Sequence, residues 1–158
     1  MPSTIAHATS ASWIAVTVAG VQPHETSYIL AAWLSASILD LDHLIHVIRD
    51  RKMYQRLGDK GNQLRVGSPL HELFGLLVVG ALSGFLFFAD QKLACIVFIA
   101  CAVHIAQDLV IGKSKPLSPI DNAEVQLFSP PPKQKVVIDA VIAISFGALW
   151  ILYLAGLM

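Results

Sequence analysis

Two clusters of histidine and aspartate carry the residue types from which a site could be built. Residues 38–46 read ILDLDHLIH and place Asp40, Asp42, His43 and His46 within seven positions. Residues 104–108 read HIAQD and place His104 and Asp108 four apart. On a helix, residues four apart share a face. The second pair can therefore chelate one ion, or its carboxylate can orient its imidazole. In the first cluster, Asp40 and His43 share a face, while Asp42 and His46 share another about 100° or more away. Asp40 and His43 are the favoured inward pair, with Asp42 close behind and His46 a bystander. Imidazole and carboxylate without a matching set of Lys or Arg suit zinc and similar divalent ions.

Other chemistries lack their motifs. None of Ser10, Ser12, Ser35, Ser37 and Ser68 lies in a GxSxG elbow. His71–Glu72 would open an HExxH zinc-protease motif, but position 75 is Gly. There is no P-loop and no dinucleotide fingerprint. The net charge of zero gives no case for nucleic-acid binding.

These ionisable groups lie in a very apolar chain. Of 158 residues, 55% are hydrophobic and 14% charged, against about 25% charged in soluble domains. Mean hydropathy is +0.63. Five stretches approach the roughly 20 apolar residues that cross a bilayer: 3–20, 27–48, 69–89, 93–112 and 136–157. The first is the weakest, being short and rich in Ser, Thr and Ala. It has no Lys or Arg before it, so a cleaved secretory signal is not expected. Gly75, Gly80, Ala81, Gly84, Gly147 and Ala148 suit close helix packing. Cys95 and Cys101 face different sides of one helix and are expected to be free thiols. The fold expected is all-α, a single domain over 1–158: an integral-membrane bundle of about five helices.

Loop charge sets the orientation. Residues 49–68 hold six of the eleven Lys and Arg, and 113–135 hold four more. The positive-inside rule places both loops in the cytoplasm, with the N-terminus inside and the C-terminus outside. The prolines of 113–135 predict a stiff, non-helical connector up to residue 135. On this topology His7, Asp40, Asp42, His43, His46, His71, Glu72, His104, Asp108 and Asp139 all fall at the cytoplasmic ends of their segments. Taken singly, His7 reads as a hydrogen-bonded histidine and Asp139 as a carboxylate near a helix N-terminus. Five segments bringing an acid or a histidine to one layer is a different matter, because intramembrane ionisable groups mark functional sites by default.

The order of these motifs resembles the LexA-regulated, membrane-bound metal-dependent hydrolase family of bacterial inner membranes. The resemblance runs from His7 to about Ile120: a helical His, a DxDH, a His opening the third helix, and HxxxD followed by PLxPI. Leu39 stands where the family has Pro, and VGSPLHE where it often has HRxxTHS. The family in turn is similar to zinc-dependent phospholipase C and fungal zinc nucleases. The resemblance implies that His7, Asp40, His71, His104 and Asp108 are metal ligands, with Asp42 and His43 as ligands or as groups that orient them. It also implies a divalent metal cofactor, zinc first among candidates, in unknown number.

The function expected is a metal-dependent hydrolase. A metal-activated water, with Asp40 and Asp42 as candidate catalytic carboxylates, would act on a phosphoester held at headgroup depth, lipid-linked phosphoesters included. Membrane lipids are the expected partners and the bacterial inner membrane the expected location, with the site facing the cytoplasm. The alternative is a non-catalytic metal-binding or transport protein. Transport predicts polar groups through the whole membrane thickness, whereas here they gather in the inner half.

Overall fold

The computed structural model describes residues 4–40, 73–111, 117, 120, 121, 123, 125, 127, 128 and 130–158. Within them lie five α-helices and no β-strand: α1 (Thr4–Val18), α2 (Thr26–Ile38), α3 (Leu73–Phe87), α4 (Gln91–Ile111) and α5 (Pro132–Leu154). The fold is all-helical, as expected. Two helices are long and apolar enough to cross a membrane, Gln91–Ile111 and Lys133–Leu154; Ile5–Val18, Thr26–Ile38 and Leu73–Phe87 are apolar but shorter. Asp42, His43, His46, His71 and Glu72 lie outside the described residues.

Helix α1 packs on α2, α4 and α5, while α3 packs on α4. The weakest apolar segment is thus a central helix. Its residues are small because other helices approach it closely: Ala6, Ala11 and Ala15 have no exposed surface. Its hydroxyls bond back to the carbonyl four residues before, Thr9 to Ile5 at 2.8 Å and Ser10 to Ala6 at 2.6 Å, with Ser12 paired to Ala8 in the same way. A polar group satisfied within its own helix can be buried at little cost. Hydropathy therefore understates how deeply this segment sits.

Alanine makes most of the close contacts of the core, although Gly75 is buried and a Cβ at Gly80 would meet Phe98 at 3.8 Å. Ala11, Ala15, Ala32, Ala36 and Ala100 surround Val16, Ile96 and Trp150, and Trp150 donates its indole N–H to the Thr9 carbonyl at 3.0 Å. The expectation of close packing at Gly84 and Gly147 is not met, since a Cβ at either would meet nothing within 4 Å. Alanine gives nearly the same approach without the backbone entropy cost of glycine. Glycine is used instead where φ is positive: Gly20 (φ 62°) closes α1, with the Val21 N–H on the Val16 carbonyl at 2.9 Å.

Helix α5 begins at Pro132, four residues before the expected 136 and inside the stretch read as non-helical. Proline needs no intrahelical donor in the first turn and its φ is already helical. The last proline of the SPPPK run thus opens a helix, with Pro131 as its N-cap residue. Large apolar side chains point away from the core on the outer helices, among them Leu77, Phe85 and Phe88 on or beside α3, and Val141, Ile144 and Ile151 on α5.

Candidate metal centre

The polar cluster is assembled from three chain segments whose local structure fixes it. Helix α2 ends at Ile38, and the chain turns through Leu39 and Asp40, with the Asp40 N–H on the Ser37 carbonyl at 3.1 Å. The end of a helix leaves carbonyls without intrahelical donors. Two of them are taken by α4: His104 Nδ1 lies 2.7 Å from the Ala36 carbonyl, and the Cys101 thiol donates to the Ser35 carbonyl at 3.3 Å. Both cysteines are free.

The Ala36 contact decides the tautomer of His104. A carbonyl oxygen only accepts, so Nδ1 carries a proton and donates it. Nε2 then faces two carboxylates, Asp40 Oδ1 at 3.5 Å and Asp108 Oδ2 at 3.4 Å. His104 has no exposed surface. A lone pair aimed at two anionic oxygens is repulsive unless a cation, a proton or a metal ion, lies among them. The other oxygen of Asp108 is 4.0 Å from His7 Nδ1, and the His7 ring meets His104 edge-on with centroids 4.7 Å apart. His7 is 4% exposed, and its Nε2 is buried with no hydrogen-bond partner among the described residues.

His7, His104 and Asp108 each offer a ligand atom, all within 4.8 Å of one another, and the group can hold a metal ion. Two ligands on a tetrahedral ion with bonds of about 2.0–2.1 Å stand roughly 3.3 Å apart, close to the 3.4 and 3.5 Å around His104 Nε2. The 4.0 Å between His7 Nδ1 and Asp108 Oδ1 is wider, so His7 would have to move inward to complete the set on a small ion. The surrounding charge is favourable as well. Asp40, Asp108 and Asp139 all lie near enough to act on His7 through their charge. The C-terminal end of α2, with its partial negative charge, points into the same region.

The structure therefore brings together His7, Asp40, His104 and Asp108 from the expected set. Asp139, counted in the cytoplasmic layer but not among the expected ligands, is 7% exposed and borders the cluster. The sequence contained a signal for it: a single acid in an otherwise apolar segment. Gln107 carries no such signal in the sequence. It sits one turn beyond His104 and donates from Nε2 to Ser10 Oγ at 2.7 Å. Only the packing of α1 on α4 shows that contact.

The opposite end of the bundle is built differently. Glu25 Oε2 accepts from Lys92 at 2.6 Å and from the Gln22 N–H at 2.7 Å. Asp90 caps α4 by accepting the Leu93 N–H at 2.9 Å and the Tyr28 hydroxyl at 2.8 Å. The Lys92 bond holds the Glu25 carboxyl below its usual range, and the Leu93 and Tyr28 bonds do the same for Asp90.

Compared with protein-family models, with curated proteins and with solved structures, the chain matches none of them.

Proposed function

We propose that this chain is a membrane-embedded, metal-dependent hydrolase acting on a phosphoester at the membrane surface. The observation that carries the proposal is that the Asp40 and Asp108 carboxylates both lie within 3.5 Å of His104 Nε2, with His7 beside Asp108. The long apolar helices and the outward apolar side chains support a bilayer setting, and the order of the motifs supports the hydrolase class. Loop charge supports an orientation with this end of the bundle at the cytoplasmic face, and a bacterial inner membrane is what the family resemblance implies.

His7, His104, Asp108 and Asp40 would hold the ion, with zinc first among the candidates. A bound zinc-type ion supplies a coordinated water with a pKa near 7 and a Lewis acid for a phosphoryl oxygen. The chain does the rest. The Ala36 carbonyl fixes the His104 imidazole with Nε2 inward. Asp40 lies on a turn rather than inside a helix and would orient the reacting water and hold its proton. Asp42 is the second candidate for that role. Burial of His104 and His7 keeps bulk water from the inner face of the site.

The test is hydrolysis by the purified, zinc-loaded protein of a phosphodiester probe and of phospholipid in mixed micelles. Wild type should turn over at least one of them, and Asp40→Asn should lose most of that rate. Equal turnover by both would remove Asp40 from the mechanism. A reporter fused after Met158 should read external; an internal signal would overturn the orientation. The second reading, a transport path, finds less support. The described ionisable groups gather at the two ends of the bundle, and the buried residues between them are Ala, Val, Ile and Trp with the uncharged hydroxyls of Ser12 and Ser83.

A further inference from the structure

We propose that Gln107 is a positioning residue for the metal centre: its side-chain carbonyl accepts a hydrogen bond from a water held at the cation site, on the seam between α1 and α4. The proposal rests on the metal-centre reading above.

The orientation of the amide follows from its neighbours. Ser10 gives its own proton to the Ala6 carbonyl at 2.6 Å, so its oxygen is left to accept. The group of Gln107 that lies 2.7 Å from it must be the NH2. The amide oxygen consequently points elsewhere. It is buried and has no hydrogen-bond donor among the described residues. A buried acceptor left without a donor costs about 1–3 kcal/mol, so a donor normally faces it.

Position says what that donor serves. Gln107 is the residue before Asp108 and one turn beyond His104 on α4, and Ser10 is one turn beyond His7 on α1. Every ligand of the candidate triad is thus an immediate helix neighbour of this amide pair. A second buried atom on the same seam, His7 Nε2, likewise has no partner among the described residues. A water bound to an ion at His7, His104 and Asp108 has an O–H to give and no need of a charged acceptor. A neutral amide oxygen fixes its direction without adding a fourth negative group to a site already bordered by Asp40, Asp108 and Asp139.

Cobalt(II) reports on the site without any substrate. Wild type, Gln107→Met, Gln107→Glu and Ser10→Ala are titrated with cobalt(II) in detergent. Affinity and the visible spectrum are recorded, together with melting temperature with and without the metal. Gln107→Met should bind about tenfold more weakly, the usual cost of losing a group that orients a ligand, with a changed spectrum. Its metal-free melting temperature should match that of Ser10→Ala, which loses the same Ser10 bond. Gln107→Glu, which keeps an acceptor oxygen, should bind at least as tightly as wild type. Wild-type affinity and spectrum in Gln107→Met would overturn the proposal, as would weakening that Gln107→Glu does not rescue. If wild type binds no cobalt, the metal-centre reading fails first and takes this proposal with it.

Discussion

The two ends of the bundle solve the same problem, acids against apolar helices, in different ways. At one end Lys92 reaches Glu25, and Tyr28 reaches Asp90. Each acid there meets a donor whose proton is fixed by chemistry. At the other end imidazoles face carboxylates: His104 lies between Asp40 and Asp108, and His7 beside Asp108. These are side chains of the kinds that ligate ions, and both carboxylates lie at ligand spacing from His104 Nε2. The contrast separates acids paired with fixed donors from acids grouped with imidazoles that could hold an ion.

The strongest challenge to that contrast is His104→Ala. It should cut divalent-metal affinity by about a hundredfold or more, and lower stability by about 1–3 kcal/mol through the unpaired Ala36 carbonyl. Calorimetric metal titration and thermal melts in detergent would measure the two effects. Affinity within a factor of two of wild type would show that the histidine end is structural, like the lysine end. Asp108→Asn should follow, with roughly a tenfold to hundredfold loss, because its two oxygens face both imidazoles.

A substitution between the ends sharpens the comparison. Trp150→Phe removes the indole bond to Thr9 and part of the packing against Trp33, whose ring centroid is 5.5 Å away. Stability should fall by about 1–3 kcal/mol, with metal affinity unchanged. A matching fall in affinity would mean that core and site cannot be separated.

The smallest effect belongs to the lysine end. Glu25 and Asp90 are held below the usual carboxylate range by their donors. Their contribution to stability is therefore full above that range and fades as the pH falls through their lowered values. Melting temperature should drop on acidification, and the drop should be shallower in Glu25→Gln than in wild type. The comparison is best made in chelator, so that the histidine end is metal-free in both. Identical slopes would mean that the Lys92 pair adds nothing.

Much of the fold was legible because apolar length is a coarse, local property: all five expected segments contain a helix. Their ends were less legible. Pro132 opens α5 where proline was taken as a breaker, since a first-turn proline and a mid-helix proline look alike in sequence. Helix α1 was underrated because Ser and Thr score as polar although their hydroxyls are satisfied within the helix. In the site, His104 and Asp108 were legible from their spacing, and His7 and Asp40 from the layer that loop charge gave them. The roles of Gln107, Asp139 and the Ala36 carbonyl depend on which helix packs on which, and no spacing along the chain encodes that. Asp42, His43 and His71 lie outside the described residues, so their expected places at the centre rest on motif order.

The most direct test is the metal content of the protein itself. The chain is purified in detergent, reconstituted with zinc, freed of loose metal by dialysis and measured by elemental analysis. The account predicts about one equivalent or more of tightly held zinc in wild type and a marked loss in His104→Ala. Less than about a tenth of an equivalent in wild type would contradict it.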